Sequence, residues 1–157
     1  MQEITPFLWF DTQAEEAARF YVSVFKNAKL GAITRYTEAG PMPAGSVMTV
    51  SFELNGLEFT ALNGGPEFTF NHAISFVVHC DTQEEVDETW EKLVEGGEPV
   101  QCGWLKDKFG LSWQIVPRAL LRLIQDPDPA KVKRVMEAMF QMVKLDMAGL
   151  QRAYDES

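Results

Sequence analysis

The chain has 157 residues, of which 46% are hydrophobic and 24% are charged, and its formal net charge is -9. This composition is typical of one globular domain, or of two small modules that share a core, and it excludes a largely disordered chain. Because the chain is acidic and has no cluster of Lys and Arg, we expect neither nucleic acid nor an anionic membrane as a partner.

No targeting or membrane-spanning segment is recognisable in the sequence. The first residues lack the basic segment and apolar core of a secretory signal, and no apolar run approaches the roughly 20 residues that a membrane span needs. The two cysteines, Cys80 and Cys102, form no CxxC pair. We therefore expect a cytoplasmic protein in which both thiols are reduced.

The first predicted elements are a strand and an amphipathic helix. Residues 4–10 form a short apolar run that is long enough for one buried strand. Thr12 and Glu15 have the spacing of a capping box, in which a hydroxyl and a carboxylate bind free backbone N–H groups at the start of a helix. The helix that follows has one apolar stripe, made of Ala14, Ala17, Tyr21, Val24 and Phe25.

A β-hairpin is predicted after this helix. Apolar and polar residues alternate from Met48 to Leu54, and Asn55-Gly56 supplies the two positive-φ residues of a type I′ turn. The return strand covers residues 57–62, and we expect an earlier strand over about residues 29–36 to join the same sheet. The first half of the chain is therefore predicted to be a strand, a helix and three further strands.

The same order of elements recurs 70 residues later. Asp11-Thr12-Gln13 returns as Asp81-Thr82-Gln83, and at the same offset Thr5 corresponds to Ser75. An apolar run over residues 73–80 again precedes the triplet. Each copy is therefore predicted to be a strand–helix–strands unit whose mixed sheet is covered by a helix on one face.

The second copy carries its own cap, stop and hairpin signals. Thr82 and Glu85 form a second capping box, and Gly96-Gly97 ends the helix. Strands over residues 99–105 and 111–116, joined by a turn at residues 107–110, are predicted to complete this copy.

The segment beyond Pro117 has no counterpart in the first copy. Asp126-Pro127-Asp128-Pro129 breaks the chain and leads into one predicted helix. Two interpretations of its apolar stripe stay open: packing on the body of the protein, or a surface for a partner, since Met-rich faces are adaptable. The stripe consists of Met136, Met139, Val143, Met147, Leu150 and Tyr154.

Two such repeats with an Asn-Gly hairpin resemble the vicinal oxygen chelate superfamily, which includes glyoxalase I, bleomycin-resistance proteins and extradiol dioxygenases. Four segments are similar to its PhnB-like subgroup, whose members are often labelled 3-demethylubiquinone-9 3-methyltransferase. The Met-rich C-terminal helix is also similar, so the resemblance is expected to cover nearly the whole chain. The four segments are Ile4-Thr5-Pro6-Phe7-Leu8-Trp9-Phe10, Glu16-Ala17-Ala18-Arg19-Phe20-Tyr21, Leu62-Asn63-Gly64-Gly65-Pro66 and Cys102-Gly103-Trp104-Leu105-Lys106-Asp107-Lys108-Phe109-Gly110-Leu111-Ser112-Trp113-Gln114-Ile115-Val116-Pro117.

The resemblance implies an α+β fold, in which paired βαβββ repeats form a cup-shaped mixed sheet with an added C-terminal helix. We expect one domain over residues 1–157, with the first repeat at about 1–66, the second at about 72–117 and the helical extension at 118–157. The resemblance also implies a homodimer and a small-molecule ligand held in the cup. A fold of this kind does not by itself determine function.

Metal-dependent members of the superfamily place one His or Glu on each of four strands, pointing into the cup. The resemblance puts Thr5, Thr60, Ser75 and Gln114 near those positions. Hydroxyl and neutral amide groups bring no charge to offset the dehydration of a divalent ion, so we expect the usual metal site to be absent and predict no cofactor. A divalent metal at a weaker site that uses Glu58 and His72 remains open.

The methyltransferase label has no support in the sequence. S-adenosylmethionine enzymes of the common class carry a glycine-rich turn between a strand and a helix. In this chain Gly64-Gly65 leads into a loop and Gly96-Gly97 ends a helix. The sequence also lacks the G-x-S-x-G motif of a serine nucleophile.

A ligand pocket remains as the candidate site. If Gln114 faces the cup, as the resemblance implies, strand alternation directs Trp113 to the helix layer. Exposed loop aromatics are candidates for a lid, here Phe68 and Phe70. The predicted pocket residues are Thr5, Glu58, Thr60, Phe68, Phe70, His72, Ser75, Trp104 and Gln114.

The sequence is compatible with two main classes of function. The first is a metal-free protein that binds a small aromatic or antibiotic-like molecule, which the missing metal ligands favour. The second is a metal-dependent lyase, isomerase or dioxygenase that uses a divalent ion to polarise substrate oxygens. A third possibility is a cup that has lost its ligand.

Overall fold

The computed structural model describes residues 2–156, and the chain divides into two compact units. The first unit extends to Phe70 and the second begins at Asn71. The expectation of a single domain over the whole chain stays a prediction. None of the helices within residues 2–156 is long and apolar enough to cross a membrane.

The first unit is a four-stranded mixed sheet with one helix. Its elements are β1 (Phe7–Phe10), α1 (Ala14–Val24), β2 (Ala28–Arg35), β3 (Val47–Leu54) and β4 (Leu57–Asn63). The strand order is β1-β4-β3-β2, with β1 parallel to β4 and the other pairs antiparallel. Helix α1 packs on β2, β3 and β4 and buries Ala14, Ala17, Tyr21 and Val24. Its predicted apolar stripe is therefore confirmed except for Phe25, which follows the last residue of the helix.

The β3–β4 hairpin turns at the predicted residues. Asn55 and Gly56 have φ values of 47° and 88°, in the left-handed region that Asn tolerates and Gly adopts without strain. The turn sets the register of the two strands, and it leaves Glu58 and Thr60 on the same face of β4, two residues apart.

The second unit repeats this topology and adds three helices. Its first elements are β5 (Ser75–Cys80), α2 (Gln83–Val94), β6 (Glu98–Pro99), β7 (Trp104–Lys106) and β8 (Ser112–Pro117). The strand order is β5-β8-β7-β6, with β5 parallel to β8. Because the two sheets have equivalent orders and pairings, the predicted repeat and the α+β fold of paired βαβββ units are confirmed.

The continuous strand predicted over residues 99–105 is wrong, because a loop separates β6 from β7. Cys102 and Gly103 in this loop have φ values of 61° and 83°. The Cys102 N–H donates to the carbonyl of Met142, and the Gly103 N–H donates to the carbonyl of Val143, each at 2.8 Å. The loop therefore pairs with the C-terminal segment instead of extending the sheet.

The single C-terminal helix predicted from the sequence is also wrong. The segment forms α3 (Arg118–Ile124), α4 (Pro129–Phe140) and α5 (Met147–Asp155). The chain leaves the helical path after Phe140 because the Met142 and Val143 carbonyls are bonded to the loop before β7. Asp146 then starts α5 by accepting a hydrogen bond from the Ala148 N–H.

These helices are fixed to the second unit by a core of their own. Leu145, between α4 and α5, is completely buried, and the stripe residues Met139 and Tyr154 pack against the same core. Of the two interpretations of the stripe, packing within the protein is confirmed for these positions. The buried members of the core are Val116, Leu120, Val135, Leu145 and Leu150.

One of the two predicted capping boxes is present. The Thr82 hydroxyl accepts a hydrogen bond from the Glu85 N–H at 3.1 Å. The Glu85 carboxylate in turn accepts one from the Asp81 N–H at 2.8 Å. The start of α2 is therefore satisfied by local side chains, as the sequence predicts.

The capping box predicted at Thr12 is wrong. The N-cap position of α1 is Gln13, whose side chain makes no capping hydrogen bond. The Ala14 N–H instead donates to Oδ1 of Asn63, at the end of β4, at 2.8 Å. Because Asn63 is buried and also donates to the Val47 carbonyl, it ties the helix to the sheet.

Replacing Asn63, which caps α1 from a distance, should destabilise the protein more than replacing Thr12, the residue predicted to be the local cap. We expect Asn63→Ala to lower the free energy of unfolding by about 2 kcal/mol, because it removes a cap and leaves a buried N–H without a partner. Thr12→Ala should change it by less than about 0.5 kcal/mol. Urea unfolding of both variants measures the difference, and equal effects would contradict the assignment of the cap.

Gly103 allows a second test, which probes the contact between the loop before β7 and the C-terminal extension. A Cβ at this residue would lie 2.9 Å from Cδ1 of Leu145 and 3.1 Å from the carbonyl oxygen of Ile115. Gly45 has a similar φ, 90°, but its Cβ would meet no described atom within 4 Å. We therefore expect Gly103→Ala to lower the free energy of unfolding by about 1–3 kcal/mol more than Gly45→Ala, measured by urea unfolding.

Candidate functional site

The second unit contains a cavity of about 670 Å³. One wall is the open face of the sheet, and the other is formed by α3 and α4. The loop before β7 contributes Val100, Gln101 and Cys102. The sheet wall consists of His72, Val77, His79, Trp104, Gln114 and Val116, and the helix wall of Leu120, Leu121, Ile124, Met139 and Phe140.

Strand alternation explains which side chains of β8 reach the cavity. Gln114 and Val116 line it, whereas Trp113 and Ile115, which alternate with them along the strand, are buried on the opposite face. The Trp113 indole donates to the buried Asp107 carboxylate at 2.9 Å on that side. The prediction that Gln114 and Trp113 face opposite ways is therefore confirmed.

Two hydrogen bonds hold the polar side chains at the sheet wall. Nε2 of Gln114 donates to the hydroxyl of Ser75 at 2.9 Å, and Nδ1 of His72 lies 2.9 Å from the hydroxyl of Ser112. These bonds leave Oε1 of Gln114 and Nε2 of His72 without a hydrogen-bond partner within residues 2–156. The sheet wall therefore offers fixed polar groups that a ligand can bind.

The rest of the lining is mostly apolar, although His79, Gln101 and Cys102 also contribute polar groups. None of its described lining residues is Lys, Arg, Asp or Glu, and eight of them are aliphatic, Met or Phe side chains. Trp104 adds an indole whose ring meets His72 edge to face, with 6.4 Å between the ring centroids. A cavity of this kind suits a neutral ligand, because a charged one would lose its hydration without compensation.

Four of the nine predicted pocket residues come together at this wall. His72, Trp104 and Gln114 line the cavity, and Ser75 holds the Gln114 amide. The other five, Thr5, Glu58, Thr60, Phe68 and Phe70, belong to the first unit.

Within the first unit, the predicted pocket residues do not form one cluster. Thr5 is exposed before β1, and Glu58 lies with Lys29 and Glu53 at a small hollow of about 190 Å³. The two proposed lid aromatics pack on β1 instead. Phe68 meets Trp9 edge to face at 5.0 Å between ring centroids, and Phe70 meets Phe10 at 5.3 Å.

Sequence reasoning missed part of the cavity. Val77 and His79 follow Ser75 at a spacing of two on β5, so strand alternation was a sufficient signal for them. No such signal exists in the sequence for the residues of the helix wall, because their position depends on how α3 and α4 pack in the second unit.

The donor groups do not fit a divalent metal ion. Within residues 2–156, no group of three or more His, Cys, Asp and Glu side chains is arranged to hold one. Ser75 and Gln114, at two of the positions expected for metal ligands, are neutral and bonded to each other. Such a pair supplies neither the charge nor the imidazole nitrogens that a site of this kind requires.

The two cysteines lie in different surroundings. Cys80 is buried, and burial, followed by the nearby Glu85 and Asp81 carboxylates, raises the pKa of its thiol to about 11. Cys102 is half-buried and lines the cavity. Because the thiolate is the reactive form, Cys80 should be inert at neutral pH.

We therefore expect one thiol to react in the folded protein. At pH 8, a chromogenic disulfide reagent should modify Cys102 first and Cys80 only after unfolding, since the Cys80 thiol stays protonated below its raised pKa. Cys102→Ser should abolish the first phase, whereas Cys80→Ser should leave it unchanged. A fast phase that persists in Cys102→Ser would contradict the assignment.

Solved structures share the fold. A PhnB protein from Bacillus cereus is 40% identical, with a TM-score of 0.67, and the match covers 74% of this chain and 99% of that chain. A protein from Pseudomonas aeruginosa is 20% identical with a TM-score of 0.62, over 74% and 98% of the two chains. The fosfomycin resistance protein FosX from Listeria monocytogenes is 16% identical with a TM-score of 0.50, over 74% and 93%. At these identities the last two show the fold alone.

The comparisons do not extend over the whole chain. The model of the family described as 3-demethylubiquinone-9 3-methyltransferase matches residues 2–116, ending before α3. The expectation that the resemblance also covers the helical extension stays a prediction. No curated protein matches the chain. From the family match and the Bacillus cereus relative, the chain belongs to the PhnB-like 3-demethylubiquinone-9 3-methyltransferase family.

Proposed function

We propose that the protein binds a neutral, largely apolar small molecule in the cavity of the second unit, without a metal ion. The observation that carries this proposal is a cavity of about 670 Å³ that is apolar on most of its surface and has polar groups on one wall. Ligand sites in proteins are typically concave, of roughly 300–1,000 Å³, with few polar groups that orient the ligand.

The polar groups specify the chemistry of the ligand. Oε1 of Gln114 is a hydrogen-bond acceptor held in place by the bond from Nε2 to Ser75, so it fits a ligand hydroxyl or N–H. Nε2 of His72 is another polar atom that a ligand can bind, since Nδ1 is bonded to Ser112. The indole of Trp104 beside them supports stacking of an aromatic ring.

Methyl transfer is not part of this proposal, although the family label contains the word. Gly64-Gly65 follows β4 and leads into a loop, and Gly96-Gly97 follows α2. Neither pair makes the glycine-rich turn between a strand and a helix that a nucleotide-like cofactor needs. The metal-dependent alternative is not favoured either, because the donor groups do not suit a divalent ion.

Binding can be tested with a neutral aromatic alcohol, 2-naphthalenemethanol. We expect calorimetry to detect its binding to the native protein and Gln114→Leu to raise its Kd about fivefold to tenfold, because the ligand hydroxyl loses its acceptor. Gln151→Leu, at an exposed position of α5, is the matched control and should leave the Kd unchanged. Bound probe should also slow the modification of Cys102, which lines the same cavity.

Two results would contradict the proposal. One is the absence of binding by the native protein. The other is near-stoichiometric divalent metal in the natively purified protein, with a thermal midpoint that rises when more metal is added, since a ligand of the folded state stabilises it.

A further inference from the structure

The cavity has two walls of different origin. The sheet wall comes from the part of the chain that the family shares, up to residue 116, whereas the helix wall comes from α3 and α4 beyond it. The match to the Bacillus cereus relative covers 99% of that chain but 74% of this one. The helix wall therefore lies beyond the matched part of the chain.

The helix wall is held in place by the structure around it. Leu145 and Val135 join the extension to β8 through the buried core of the second unit. The Gly103 N–H bonds the carbonyl of Val143, directly after α4. In addition, the Arg134 guanidinium of α4 donates to the Ala153 and Tyr154 carbonyls at the end of α5. These contacts give the wall a fixed position opposite the sheet.

The chemistry of the two walls is asymmetric. All the helix-wall side chains are apolar, whereas the hydrogen-bonding groups of Gln114 and His72 lie on the sheet wall. A ligand bound to Gln114 by its polar group must therefore direct its apolar body towards α3 and α4. Phe140 is well placed for this contact, because its ring lines the cavity and is 53% exposed.

We infer that the C-terminal extension is the specificity-determining wall of the cavity, and that it selects ligands with an extended apolar or aromatic body. This inference rests on the proposed function. It assigns to residues 118–140 a role in ligand choice, and it makes Phe140 a binding residue that the shared part of the fold does not supply. The affinity of small ligands that contact only the sheet wall should not depend on residues of the extension.

The test compares two neutral alcohols of different size on the full-length protein. Benzyl alcohol has one ring, whereas 1-pyrenemethanol has four and can contact both walls. We expect Phe140→Ala to raise the Kd of 1-pyrenemethanol about threefold to tenfold through lost apolar contact, and to change that of benzyl alcohol by less than about twofold. Phe140→Leu, which keeps an apolar side chain, should have an intermediate effect on the larger probe.

Val143→Ala is the matched control. Val143 is similarly exposed, at 47%, and follows α4 directly, but it does not line the cavity. It should leave both dissociation constants unchanged. The thermal midpoints of the Phe140 and Val143 variants should stay close to that of the native protein, because these two side chains are about half exposed.

The outcomes separate this inference from the proposed function. If the native protein binds both probes and Gln114→Leu weakens both, but Phe140→Ala behaves like Val143→Ala, the inference is wrong and the proposed function stands. If the native protein binds neither probe, both the inference and the proposed function are wrong. A selective loss of the larger probe in Phe140→Ala supports both.

Discussion

The architecture of the second unit depends on the backbone of Gly103. Its carbonyl accepts a hydrogen bond from the Ile115 N–H of β8, and its N–H donates to the Val143 carbonyl of the extension, both at 2.8 Å. A left-handed φ of 83° and the close approach of Leu145 make glycine the residue that fits. Through this residue, the central strand of the sheet and the C-terminal helices take fixed positions, and the cavity is the space left between them.

The two repeats share a topology but differ in what covers their sheets. In each, the first strand lies parallel to the last, and a helix buries one face. In the second unit, α3 and α4 line a cavity together with the open face of the sheet. An internal repeat therefore predicts equivalent scaffolds, while the chemistry of each open face depends on the sequence that follows it.

The candidate site could be predicted only in part from the sequence. Alternation along β8 predicted that Gln114 and Trp113 face opposite ways, because side chains of a strand point to opposite faces in turn, and the family resemblance indicated that Gln114 is the one that faces the cup. The bond between Gln114 and Ser75 required the parallel pairing of β5 with β8, which places Val77 beside Gln114. Phe140 and Met139 could not be assigned to the site from the sequence, because Met139 belongs to a stripe that fits packing and a partner surface equally well and Phe140 lies outside that stripe.

The sequence by itself determined the elements whose signals are local: the Asn55-Gly56 turn, the Thr82 cap, the alternating strands and the repeat that relates them. Only the tertiary structure decided the cap of α1 by Asn63 and the division of the C-terminal segment into three helices. Both depend on hydrogen bonds between residues about 40–50 positions apart, and such partners are chosen by packing rather than by propensity. The cavity, too, was decided only by the tertiary structure, because the sheet and the helices form it together.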